Sequence, residues 1–175
     1  MKKKLMALML CLSFITFGVI SVNAQITAKG KAKRDMEAYR YEIECVGTGV
    51  EGTYLIKVWT YSKKPKVALA QSKKNALHGI IFKGFAGGGQ GCTSQKAFCA
   101  PSVEEQNIDF FDKFFADGGQ YMRYISESND GSVDSDDRLK VGKEYKIGVV
   151  VSVMKDQLRK DLEAAGIIKG LDSGF

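Results

Sequence analysis

Tyr145-Lys146-Ile147-Gly148-Val149-Val150-Val151-Ser152-Val153 leads directly into Met154-Lys155-Asp156-Gln157-Leu158-Arg159-Lys160-Asp161-Leu162. In the first half Tyr145, Ile147, Val149, Val151 and Val153 recur at every second position, which predicts a strand with one buried face. Val150 on the opposite face indicates partial cover there as well. In the second half the period changes. Met154, Leu158, Leu162 and Ala165 follow at spacings of four, four and three, which predicts a helix with Gly166 at its end.

Working outward, Tyr39, Tyr41 and Ile43 alternate with Arg40, Glu42 and Glu44, again the period of a half-buried strand. Thr48 to Gly52 turns the chain into a second strand, Tyr54 to Tyr61, so a hairpin is expected. From Pro65 the period is helical to about Phe82, with Val67, Ala70, Leu77 and Ile81, flanked by Leu69, Ala76 and Ile80, on the apolar side. Five glycines between Gly84 and Gly91 make a loop that continues through Cys92 to Cys99. Ser102-Val103-Glu104-Glu105 has the form of a capping box. It opens a helix whose buried side is Val103, Phe110, Phe111, Phe114 and Phe115 and which ends at Asp117-Gly118-Gly119. A strand at Gln120 to Ser126 and an acidic loop from Glu127 to Asp137 complete the order. Runs of strands separated by helices predict one α+β domain over residues 37–170, an antiparallel sheet of about four strands with two or three helices packed on one face.

From Tyr54 to Ile168 this pattern resembles the envelope module at the N-terminus of the flagellar assembly T protein and in the twenty-kilodalton surface lipoprotein family. The resemblance is carried by the alanine-bearing helix Ala68 to Ile81, the phenylalanine-rich helix, the strand at Tyr121, and the strand Tyr145 to Val153 running into Leu158-Arg159-Lys160-Asp161-Leu162. It implies a non-enzymatic envelope domain used in binding or assembly and carries over no site residue. The glycine/cysteine loop and the basic N-terminal arm depart from the family's pattern.

The chain has 175 residues, 2 prolines and a formal charge of +6. Setting aside Lys2, Lys3 and Lys4 leaves +3, since 6 − 3 = 3. That balance excludes a strongly basic nucleic-acid binder, and the composition excludes a disordered or collagen-like chain. Those three lysines, the apolar stretch Leu5 to Ile20, and Val22-Asn23-Ala24 have the grammar of a secretory signal covering residues 1–24, cleaved before Gln25. An uncleaved anchor over Leu5 to Ala28 is the rival reading; its polar end at Ser21, Asn23, Gln25 and Thr27 speaks against it. Cys11 follows Met9-Leu10 and lacks the small residues of a lipid-attachment box. No later run is long enough to span a bilayer. The expected location is periplasmic or secreted. Residues 25–36, with Lys29, Lys31, Lys33 and Arg34, read as a flexible basic arm, and residues 171–175 as a tail.

Cleavage leaves Cys45, Cys92 and Cys99. In an oxidising compartment a Cys92–Cys99 ring is the expected disulfide, with Cys45 buried and single; pairing of Cys45 with either partner stays open. The C-x6-C spacing is not that of a thiol oxidoreductase, so a Cys92 or Cys99 nucleophile with His78, the one histidine, as base is disfavoured. The glycine loop contains no phosphate-binding motif and follows a helix where those motifs follow a strand. Asp130, Asp134 and Asp137 are calcium candidates, with Gly131 placed at the glycine of an EF-hand loop, but serines stand where carboxylates belong. No cofactor is expected.

Lys73 and Lys74 near the first helix, together with Gly87, Gly88 and Gly89, are the expected contact surface for an envelope or extracellular protein or an anionic glycan. The function expected is therefore an exported binding or assembly module. Its alternatives are a small secreted hydrolase using a carboxylate pair such as Glu104 and Glu105, and a calcium-stabilised structural protein. Adjacent helical residues point about 100° apart, which makes that glutamate pair a poor acid/base couple.

Overall fold

The strand with which the sequence reading began is the centre of the sheet. In the computed structural model, which describes residues 40–47, 49–88, 92–128 and 132–170, β5 (Glu144–Val153) pairs antiparallel along one whole edge with β2 (Tyr54–Ser62). Beyond β2 lies β1 (Tyr41–Gly47), joined by the expected hairpin. The opposite edge of β5 is shared. β3 (Ile125–Glu127) pairs with Val151 to Val153, and β4 (Arg138–Val141) pairs with Glu144 to Ile147. β3 and β4 thus share one edge of β5. The antiparallel α+β architecture expected from the sequence is the one found, with five strands. The predicted signal, basic arm and tail lie outside the described residues, as do Gly89 and Asp130.

Period two on the strands places Ile56, Val58 and Thr60 of β2 beside Ile147, Val149, Val151 and Val153 of β5 on one buried face. Against that face packs α1 (Pro65–Phe82), contributing Ala68, Ala76, Leu77, Ile80 and Ile81. Full burial of each large aliphatic side chain contributes roughly 1.5–3 kcal/mol. The buried stripe of α1 keeps the expected Ala76, Leu77, Ile80 and Ile81 but departs from expectation in its first half. Val67 is 53% exposed and Ala70 is exposed, whereas Ser72 and Asn75 are buried. These two polar residues meet Thr60: Asn75 Nδ2 donates to Thr60 Oγ1 at 3.0 Å, and Ser72 Oγ lies 3.0 Å from the same oxygen and 2.8 Å from the Ala68 carbonyl. Mutual hydrogen bonding removes the cost of burying them. Gly79 sets the approach of β1, because a Cβ there would lie 2.1 Å from Ile43 Cδ1 and 3.1 Å from Tyr41 Cε2.

The predicted phenylalanine helix is two helices, α2 (Ser102–Gln106) and α3 (Ile108–Phe114), broken at Asn107, whose φ is −125° and whose side chain donates to the Val103 carbonyl. The capping box does not form, since Pro101 rather than Ser102 stands at the helix entry and no side chain caps it. Gln120–Tyr124, predicted as strand, is a 3-10 helix whose buried Tyr121 and Tyr124 pack on Phe115 and Phe114. Tertiary aromatic packing there overrides the β propensity of the tyrosines. α4 (Lys155–Ala164) buries Leu158 and Leu162 and is held to the 3-10 helix by Tyr124 Oη donating to Asp161 Oδ2 at 2.7 Å. Met154 and Ala165 stay exposed, and Ile168 after the helix enters the core instead.

The far face of the sheet carries Trp59 lying against Gly148, where a Cβ would come within 2.9 Å of the indole. Lys57 and Lys146 stand over the ring, 5.4 and 5.0 Å from its centroid. Each is tethered in turn: Lys57 to Asp137 at 2.7 Å and Lys146 to Glu42 at 2.7 Å. This network of charge over an indole lets the face meet water and ties Asp137, just before β4, to the sheet.

Candidate binding cleft

Where β1 ends, an extra residue enters the ladder: Cys45 pairs with Ile56 and Gly47 with Leu55, leaving Val46 as a bulge. The chain then turns at Val50 to Thr53, with Thr53 N–H and Oγ1 both donating to the Val50 carbonyl at 2.9 and 2.6 Å. Opposite stands the loop that follows α1. Its base is closed by the reciprocal backbone pair Phe85 and Gln95, at 3.0 and 2.9 Å, and by Phe98 and Cys99 amides donating to Ile80 and Ile81 carbonyls.

A disulfide fastens this loop to the hairpin, and it joins Cys45 to Cys92, with their Cα atoms 6.0 Å apart. The expected Cys92–Cys99 ring is thereby corrected. Cys92 is taken by Cys45, and Cys99 is left as a free thiol whose amide and Sγ both lie against the Ile81 carbonyl, at 3.0 and 3.6 Å. Burial, with the Glu104 carboxylate adding to it, pushes the Cys99 thiol up to about 11. A thiol so far above neutral pH is a poor nucleophile.

Between turn and loop opens a cleft of about 270 Å³, walled by Cys45, Gly47, Tyr54, Phe85, Cys92 and Gln95. Tyr54 and Phe85 meet edge to face, ring centroids 5.2 Å apart. Tyr54 Oη donates to Gln95 Oε1 at 2.8 Å, and Gln95 Nε2 donates to Thr93 Oγ1 at 3.0 Å, so the wall is braced by its own hydrogen bonds. Burial raises the Tyr54 phenol above its ordinary value. A Cβ at Gly47 would meet nothing within 4 Å, so the missing side chain leaves this wall open. The volume suits one side chain or one ring and falls just below the range of drug-sized ligand sites.

The other residues singled out from sequence divide around this cleft. Gly87 packs against the loop's returning backbone, where a Cβ would lie 2.8 Å from Ser94 N, while Gly88 faces open space. Lys73 and Lys74 are elsewhere, in ion pairs with Glu127 at 2.9 Å and Asp117 at 2.7 Å, and Lys73 sits about 14 Å along the helix axis from Phe82. Asp137 is buried and held by Lys57, and Asp134 accepts the Asp137 amide through its carbonyl. Among the described residues no cluster of acidic, histidine or cysteine side chains could hold a metal ion, and no helix is long and apolar enough to cross a membrane.

His78, 6% exposed, joins three elements: Tyr41 Oη of β1 lies 2.6 Å from Nδ1, and Glu104 Oε2 of α2 lies 3.2 Å from Nε2. Sequence reasoning did not connect these residues, which are 37 and 26 positions apart from His78. Comparison with protein-family models, with curated proteins and with solved structures finds no match to this chain.

Proposed function

We propose that this chain is an exported, non-enzymatic binding module of the cell envelope, periplasmic or secreted after cleavage before Gln25, which holds a protein partner at the disulfide-walled cleft. The carrying observation is the cleft itself: a concave site whose two sides are covalently joined and whose wall is pre-braced by Tyr54 and Gln95, so little order is lost on binding. The Cys45–Cys92 bond supports an oxidising compartment. The resemblance to the flagellar T protein and surface lipoprotein module implies the same class of role. Lys73 and Lys74 are each held by a carboxylate, Glu127 and Asp117, which weakens the pull these two lysines would exert on an anionic glycan and favours a protein.

The test is crosslinked capture from an envelope fraction with three proteins: parent, Gly47→Trp, and Lys73→Glu/Lys74→Glu. Loss of a specific partner with Gly47→Trp, a bulky change on the cleft wall at a position whose Cβ meets nothing within 4 Å, and its retention by the lysine variant, support the cleft. A partner captured equally by all three removes it.

A further inference from the structure

The two edges of the sheet differ in kind. One is broken into strands of three and four residues, and its β4 part, all exposed, alternates Arg138 and Lys140 with Leu139 and Val141. Short length, interruption and cationic side chains are the usual protection of an edge against added strands. The other edge is β1, seven residues long, without proline, lysine or interruption until its bulge at Val46. Among the described residues no strand pairs with its outer side. Glu42 and Glu44 are exposed along it, and Glu44 carries no ion pair among the described residues. At its C-terminal end the edge runs into the cleft, since Cys45 and Gly47 belong to both.

The geometry points to strand addition: β1 receives an extended segment of a partner protein that carries a basic residue to face Glu44 and one apolar anchor side chain for the cleft. This rests on the cleft being the binding site. Main-chain hydrogen bonds to β1 supply affinity that is independent of the partner's sequence, while Glu44 and the cleft supply selectivity, Glu42 being held already by Lys146 and Tyr61. The cleft's volume admits one large side chain, in keeping with a single anchor. An extended acidic segment would meet Glu42 and Glu44 with like charge.

The probe is a blocked heptapeptide, Lys-Val-Lys-Phe-Lys-Val-Lys, titrated into the processed, oxidised protein and followed by amide exchange and chemical shifts. Strand addition predicts slowed exchange confined to Tyr41–Gly47 and their neighbours. It also predicts at least about tenfold weaker binding of the same peptide N-methylated at alternate amides, which keeps charge and side chains but removes hydrogen bonds. Glu44→Lys should weaken binding roughly fivefold. Equal binding of the N-methylated peptide, equal binding of a glutamate-for-lysine peptide, or no binding at millimolar concentration overturns the inference. Gly47→Trp separates it from the cleft reading. Binding abolished by that change, with the N-methylated peptide still bound, would leave the cleft and remove strand addition. Slowed β1 exchange that survives the change would keep strand addition and remove the cleft.

Discussion

The Tyr41 hydroxyl lies 2.6 Å from Nδ1 of His78, inside the layer where β1 crosses α1. Nε2 on the far side of the ring lies 3.2 Å from Glu104 Oε2, so both ring nitrogens have a polar partner. The Lys83 ammonium, 3.9 Å from the Tyr41 ring centroid, covers the tyrosine from outside. The arrangement links a strand and two helices through groups that would be costly to bury singly. Tyr41→Phe removes the hydroxyl that partners Nδ1, and should lower unfolding free energy by about 1–3 kcal/mol in urea titration. A variant as stable as the parent would mean that the bond contributes nothing net.

Gly79 and Gly148 both sit under a close side-chain approach, and the single tryptophan reports on one of them. Gly148→Val places carbon where the indole of Trp59 rests, so the ring must lift from the sheet towards water. Its fluorescence should shift red, with about 1–3 kcal/mol lost. Gly79→Ala instead pushes Ile43 away from α1 and should destabilise by a similar amount while leaving the emission unchanged, because Trp59 lies on the other face.

The strand–helix unit from Glu144 to Ala164 and the β1–β2 hairpin were legible because their periods are written in side chains that meet only the core. α1 was legible in extent but only in part in its buried side. Its buried stripe includes Ser72, Asn75 and His78, whose partners Thr60, Tyr41 and Glu104 come from other elements and could not be read from the period of the apolar residues. The cleft was half legible: the glycine loop and Cys92 were recognised, but the second wall was not. The local ring between Cys92 and Cys99 was favoured by nearness in sequence, whereas the fold brings Cys45 to Cys92 through the bulge at Val46.

Oxidation across a separation of 47 residues should matter strongly to stability. Chain-entropy arguments give about 4 kcal/mol for a loop of this length, and measured effects commonly fall at 2–4 kcal/mol. Cys45→Ala/Cys92→Ala should therefore unfold at markedly lower urea and become indifferent to reductant. Peptide mapping of the parent should recover a Cys45–Cys92 link, and recovery of Cys92 joined to Cys99 would contradict the structure.

Calcium should have little hold on the acidic loop. Asp137, the candidate last ligand, is buried with its Oδ1 2.7 Å from Lys57 Nζ, and a cation at that oxygen would have to displace an ammonium already in place. The midpoint of thermal unfolding should move by less than about 1 °C between calcium and chelator. Asp137→Asn, by contrast, should lower it, because the tether to Lys57 is lost. A calcium-dependent rise of several degrees would restore the metal reading.

Alkaline pH offers a separate test of two buried acids. Burial holds Cys99 at about 11 against an ordinary 9.0, and burial followed by the hydrogen bond to Asp161 holds Tyr124 at about 12 against 10.0. Both folded values are raised, so below pH 9 the groups are protonated in either state and their contribution is intact. Above it the unfolded chain releases protons that the folded chain retains, and stability falls with rising pH, first through the Cys99 window from 9.0 to about 11 and then through the Tyr124 window from 10.0 to about 12. Unfolding free energies at pH 8 to 12 should decline less steeply in Cys99→Ala than in the parent over the earlier window, and less steeply in Tyr124→Phe over the later. Because Tyr124 bonds Asp161 on α4, the second variant should also begin from a lower plateau, whereas identical slopes in all three proteins would show that neither group is shielded as the structure requires.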